Sequence, residues 1–287
     1  KEYDYHSQIL PELITGEHRM VIRPRVLKTK EQKSGRARGM GEIFTPAWLC
    51  NAMINEVDKA WIGAEDVFNV EDKKAHTWQP TPHKIIFPEG KTWQEYVRST
   101  RLEITCGEAP FLVSRYDAVT GVPIPVEQRI GVLDRKLRLV DENTETSEEW
   151  LKWAGTAFKN PFGYEWQGDS LLLARVSMFW TFIEYYQKKF QEAPPREYFS
   201  VFADIISWNL WQMDGLKYVV PDSCHDKHVK TRTLFEEKEE VVPCPGCAKN
   251  DIFKHNGTYC LLRDWNEKDS ETGEEGPIIR FVDLMKH

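Results

Sequence analysis

The sequence predicts an α/β fold, a mainly parallel sheet with helices on both faces and a small cysteine-bearing insertion. Apolar segments of strand length alternate with longer segments of helical period, and strands joined through helices run parallel. With 287 residues, 41% of them hydrophobic and 12% aromatic, the chain can bury one large core plus a small appendage. Cys244, Cys247 and Cys260 fall in one short stretch, which sets that stretch apart from the core.

Residues 1–44 form an N-terminal segment. Within it residues 19–41 carry eight Lys or Arg against one Glu and show no apolar period, which predicts a mobile basic loop, either solvated or touching phosphates. The core spans 45–221. It opens with a helix from Thr45 to Trp61: Thr45 suits a cap, Pro46 the first helical position, and Trp48, Leu49, Ala52, Met53, Val57 and Trp61 share one face. Residues 63–91, punctuated by Pro80, Pro82 and Pro88, read as an inserted set of loops with room for a small hairpin. A short helix at 92–99 precedes the strand candidates Arg101 to Thr105, Arg129 to Leu133, Phe202 to Trp208 and Ile278 to Leu284. Helices from Glu148 to Ala157 and Ser170 to Phe190 lie between the second and third, the acidic run Asp141 to Glu149 leading into the first of them. Residues 222–265 form the cysteine-bearing insertion, and 266–287 supply the final strand of the core.

Open parallel sheets bind ligands beyond the carboxyl ends of their strands, so the residues that follow each candidate are the ones to weigh. The first strand carries Glu103 and runs into Cys106-Gly107-Glu108-Ala109, a turn of small residues that lets backbone approach a ligand. The second ends at Asp134, placed to accept hydrogen bonds from ribose hydroxyls or, with Arg135 and Lys136 beside it, to form a surface ion pair. Asp169 precedes a helix that it is equally placed to cap. The third strand delivers Asn209 between Trp208 and Trp211.

In these residues the chain resembles the class I S-adenosylmethionine-dependent methyltransferases, specifically the DNA amino-methyltransferases of restriction-modification or phage-related systems whose cofactor motifs precede the catalytic motif. Gly41 to Met53, with Phe44, Thr45 and Pro46, is similar to the motif that opens a helix beside the methionine end of the cofactor. Ile104 to Leu112 is similar to the family's cofactor-binding turn, carried here by Glu103, Cys106, Gly107 and Ala109, while Asp134 and Asp169 match the acids after the next two strands. Asn209 stands at the catalytic Asn-Pro-Pro-aromatic motif, although both prolines and the last aromatic are absent. The resemblance covers roughly residues 35–216 and implies a Rossmann-like methyltransferase sheet. It further implies methyl transfer to the exocyclic amine of adenine in DNA, with Asn209 accepting hydrogen bonds from the amine and Trp208 or Trp211 stacking on the base. A specificity or restriction subunit is an implied partner. Two alternatives stay open: a methyltransferase-like DNA-binding or assembly subunit without catalysis, or a different amino acceptor in cytosine, RNA or a protein amide.

Cys244-Pro-Gly-Cys247 is a knuckle that aims two sulfurs at one ion. Tetrahedral zinc needs four ligands, and the expected set is Cys224, Cys244, Cys247 and Cys260, with His255 or His228 as the replacement for Cys224. A net charge of −7 argues against coating nucleic acid through bulk charge, so any DNA contact is local. No apolar run reaches the roughly 18 to 20 residues of a membrane span, and the beginning lacks the apolar core of a signal peptide, so a cytoplasmic protein with reduced thiols is expected.

Overall fold

The structure, a computed structural model, describes residues 7–232, 237–267 and 276–286. Its centre is a three-stranded parallel sheet. Strands β3 (Arg101–Ile104), β4 (Pro161–Glu165) and β5 (Leu210–Gln212) lie side by side in that order, Leu102 opposite Phe162 and Tyr164 opposite Trp211. Two antiparallel pairs flank it in sequence, β1 (Asn69–Asp72) with β2 (Thr77–Pro80) and β6 (Lys227–Arg232) with β7 (Glu237–Val242). The first of these is the small hairpin expected in the 63–91 insertion.

Each parallel crossover contains two helices. Helices α5 (Val132–Asn143) and α6 (Ser147–Lys159) link β3 to β4, and α7 (Gly168–Phe190) and α8 (Glu197–Asn209) link β4 to β5. Before them come α1 (Pro11–Ile14), α2 (Lys30–Met40), α3 (Ala47–Ile62) and α4 (Trp93–Arg98). Two of the strand candidates are not strands. Arg129 to Leu133 leads into α5, and Phe202 to Trp208 lies inside α8, whose buried residues Phe202, Ile205, Ile206 and Asn209 recur with helical spacing. The second strand is instead Pro161–Glu165, buried at every position, in which a Pro and a Gly mask the strand signal.

The two faces of the sheet are covered differently. Leu210 joins the helical core of Leu133, Phe158, Phe182 and Phe202, whose rings include the stacked pair Phe182 and Phe202 at 3.8 Å. Phe162, Tyr164, Trp211 and Met213 turn to a second cluster with Cys260, Leu262 and Phe281. Helices therefore do not cover both faces. The second is closed by the antiparallel pair β8 (Leu261–Arg263) and β9 (Ile278–Arg280) and the 3₁₀ turn after it. That pairing also corrects the expectation for Ile278 to Leu284, since β9 bonds to β8 in a separate sheet and does not extend the parallel one.

Two N-terminal elements also depart from expectation. Part of the basic segment is helix α2, with a capping box between Thr29 and Gln32 and left-handed Gly41 as its stop, yet no buried residue, which is why no apolar period marks it. Helix α3 exists as expected but is turned around. Cys50, Asn51, Ile54 and Asp58 face inward, and the apolar residues Leu49, Met53 and Val57 are exposed. The inward polar groups are satisfied by α5 and α4: Arg135 of α5 donates to Asp58 at 2.5 Å and Asn51 at 2.8 Å, while Tyr96 of α4 donates to Asp58 at 2.8 Å.

Candidate functional site

A cavity of about 600 Å³ lies at the carboxyl ends of β3 and β4. Its walls are the segment Met40 to Thr45, the outward face of α3, β3 with the turn after it, and Glu165 to Gln167. The reversal of α3 makes this wall, because it turns Met53 and Val57 toward the cavity. Leu102 and Ile104 of β3 continue the apolar surface.

The turn after β3 is specified residue by residue. Cys106 extends the ladder by donating its N–H to Tyr164 O at 2.8 Å, after which Gly107 and Ala109 take φ of 55° and 61°. A Cβ on Gly107 would meet the Phe44 ring at 2.5 Å, so glycine answers both the left-handed backbone and the close approach. Glu103 is buried beneath the turn, accepting from Leu112 N at 3.1 Å and Phe111 N at 3.4 Å. Burial pushes its carboxyl up to about 8; those two N–H groups pull it down and the charge of Glu165 adds to the rise. Burial likewise pushes the Cys106 thiol well up, helped by Glu103, so it is an inert wall and no nucleophile.

Glu165 is the residue that sequence reasoning missed. It ends β4 with its carboxylate held by three backbone donors: Gly107 N at 2.8 Å, Trp166 N at 2.9 Å and Gln167 N at 3.0 Å. The signal was present in the order apolar run, acid, helix across Phe162 to Asp169, but it was read on Asp134 instead. Asp134 lies in the first turn of α5, fully buried and away from the cavity. It accepts from Ser114 N at 2.8 Å, Ser114 Oγ at 3.0 Å and Gly131 N at 3.1 Å, which makes it a structural cap. Asp169 sits in the first turn of α7 and pairs with Arg36 at 2.9 Å and Lys28 at 3.4 Å, tying α2 to the core rather than lining the cavity. Phe44 and Thr45 do line it, whereas Pro46 is the N-cap of α3 and Ala109 is wholly buried.

The expected catalytic group is not at the cavity. Asn209 ends α8 at the amino end of β5, the opposite edge of the sheet, and is fully buried. Its amide donates to Phe158 O at 2.8 Å and Pro161 O at 3.0 Å, and accepts from Trp265 Nε1 at 2.7 Å, so its capacity is spent on the fold. Trp211 packs in the second cluster against Phe162, Tyr164 and Phe281. Trp208 lies on α8 under the Arg263 guanidinium, 4.9 Å from its ring centre. Neither indole lines the cavity.

The metal ligands fare better. Cys224, Cys244, Cys247 and His255 bring their ligand atoms within 4.8 Å of one another. His255 Nδ1 is 3.4 Å from Cys224 Sγ, 3.6 Å from Cys247 Sγ and 3.7 Å from Cys244 Sγ. Tetrahedral zinc with ordinary bond lengths separates a sulfur and a nitrogen ligand by about 3.5 Å, so the three distances fit. Helix α9 (Pro245–Lys249) carries the knuckle, and a Cβ on Gly246 would come within 2.6 Å of His255 N and Nδ1. Burial pushes the Cys244 thiol up, but N–H groups of Asn256, Cys247 and Gly246 together with His255 outweigh it and bring it down to about 6, favouring the thiolate a metal requires. Cys260 is not in the set. It is buried in the second cluster and its thiol donates to Gln212 O at 3.2 Å. His228 lies on β6, outside the group.

No protein-family model, no curated protein and no solved structure matches the chain. Among the described residues no helix is long and apolar enough to cross a membrane.

Proposed function

We propose that the cavity binds S-adenosylmethionine and that the protein serves in methylation of the amino group of adenine in DNA. One observation carries the cofactor reading: an acid at the carboxyl end of the second parallel strand, Glu165, lines the cavity and is oriented by three backbone N–H groups. With three of its lone-pair sites taken by those donors, such an acid retains a lone pair for a ribose hydroxyl. The charge of the lining favours this ligand over a phosphate-bearing one. Glu42 is ion-paired with Arg36 and burial keeps Glu103 protonated at neutral pH, which leaves Glu165 facing Arg101 among the described lining residues, with no surplus positive charge. A sulfonium with an ammonium group suits that balance, and a pyrophosphate does not. The apolar wall of Met53, Val57, Leu102 and Ile104 suits the thioether chain and the adenine face.

A second reading is favoured by the spent amide of Asn209. In it the chain holds the cofactor while the group that orients the acceptor amine comes from another polypeptide. The group of three cysteines and one histidine holds a structural zinc, since four protein ligands leave no open position for chemistry.

Calorimetric titration with S-adenosylmethionine tests the cofactor reading. Glu165→Gln is expected to weaken binding about tenfold with unchanged circular dichroism, a loss on the scale of hydrogen bonds to a charged group. Equal affinity in the two proteins sinks the assignment. Transfer of labelled methyl groups to unmethylated DNA separates the two readings: incorporation by the protein alone supports the first, and cofactor binding without incorporation supports the second.

A further inference from the structure

We infer that the metal group braces the cavity through Cys260 and Gln212, so that metal occupancy and cavity order are coupled. The ligand half of this inference rests on the cofactor reading above; the bracing itself does not.

The connection starts in the turn beyond β5. Asp214 N donates to Val219 O at 2.8 Å and Ser223 N to Val220 O at 3.1 Å, a path that ends at the metal ligand Cys224. The returning chain starts at the ligand His255 and zips onto the same turn, with Val220 N donating to Thr258 O at 2.8 Å and Cys260 N to Tyr218 O at 3.1 Å. One ion bound to Cys224 and His255 therefore closes two paired legs at their open end. Metal binding in such small modules is folding free energy, and losing the ion releases that end.

From the legs the contacts run straight to the cavity. The Cys260 thiol donates to Gln212 O at 3.2 Å, and Gln212 Nε2 donates to Trp166 O at 2.8 Å. Trp166 N in turn donates to the Glu165 carboxylate at 2.9 Å, and Met213 N donates to Glu165 O at 3.0 Å. Gln212 is thus a positioning residue. It does not line the cavity but holds the backbone that orients Glu165. Chains of hydrogen bonds between packed elements carry coupling when one member has two arrangements, and the legs, pinned or released, supply them.

The test is amide hydrogen exchange on zinc-loaded and chelated protein, in the natural sequence and in Gln212→Leu. Chelation is expected to speed exchange at residues 165–168 about tenfold in the natural sequence. In Gln212→Leu those amides exchange fast already, and chelation adds less than about twofold because the link is cut. Where chelation unfolds the chain, Cys247→Ser, which keeps three ligands, gives the weakened metal state for the same comparison. Calorimetry adds the ligand arm: S-adenosylmethionine binds about tenfold more weakly without zinc and raises zinc affinity by the same factor. Faster exchange confined to residues 222–260 overturns the inference, as does a Gln212→Leu response equal to that of the natural sequence. If S-adenosylmethionine binds neither metal state while exchange at 165–168 still follows the metal, the cofactor reading falls and the bracing stands.

Discussion

Glu103 and Glu165 sit at the ends of neighbouring parallel strands, and their roles divide by what solvates them. Glu103 is buried with only two N–H donors and is pushed up to about 8, so between the ordinary carboxylate range and that value the folded protein keeps a proton that the unfolded chain has released. Stability therefore falls as pH rises through this window and levels off above it. Thermal melts from pH 5 to 9 should show that decline, and Glu103→Gln should flatten it. An equal slope in both proteins would mean the carboxyl is not buried as described. Asp134 and Asn209 make the complementary point, since both looked functional from position and both serve the fold. Removing the Asn209 amide leaves two carbonyls and an indole N–H without partners, a cost on the order of 3 kcal/mol in chemical denaturation. Cofactor affinity in Asn209→Ala, measured on the folded fraction, should stay unchanged.

Helix α2 and the metal knuckle show elements whose stability is not written in apolar period. Helix α2 buries nothing and is held by its capping box and by Arg36 and Lys28 on Asp169. These ion pairs are partly exposed and worth about 1 kcal/mol, so Asp169→Asn should raise protease cleavage within residues 30–40 about fivefold. Cleavage at an unchanged rate would show that another contact holds the helix. In the knuckle, Gly246 leaves no room for a side chain beside the His255 backbone. Gly246→Ala should therefore lower bound zinc, read by metal analysis of the purified protein, while the parallel sheet persists in circular dichroism. Helices α3, α4, α6 and α7 were legible in the sequence within a few residues, because their length and composition fit a helix, with side-chain caps adding to the signal at α4 and α6. Helix α8 was not, because its dense β-branched and aromatic run around Ile205, Ile206 and Trp208 satisfies strand and helix alike.

At the scale of the whole molecule, the C-terminal segment is part of the core. Phe281 packs on Tyr164, Trp211 and Tyr218 at centroid separations of 6.1, 5.5 and 5.5 Å, closing the sheet face that the helices leave open. Phe281→Ala should cost about 3 to 5 kcal/mol in chemical denaturation, the loss typical of an aromatic removed from a filled core. A smaller change would mean that the segment rests on the sheet without sealing it. Phe281 N donates to Cys260 O at 2.9 Å, and the Cys260 thiol reaches Gln212 of β5, so the C-terminal segment, the cysteine-bearing insertion and the sheet that forms the cavity share one scaffold.

Local chemistry, meaning small residues for tight turns, thiols at knuckle spacing and caps before helices, was readable along the chain. The turn from Cys106 to Ala109, three of the four metal ligands and the strand under Glu103 all came from such signals. Which of several acids meets the cavity, which face of α3 turns inward, and whether His255 or Cys260 completes the metal group depended on elements far apart in sequence. Those outcomes are set by pairing and packing energies, as when Arg135 draws Asn51 and Asp58 inward or when β4 lands between β3 and β5 and carries Glu165 to the cavity. No window of the sequence contains both partners of such a contact, and only the folded chain brings them within reach.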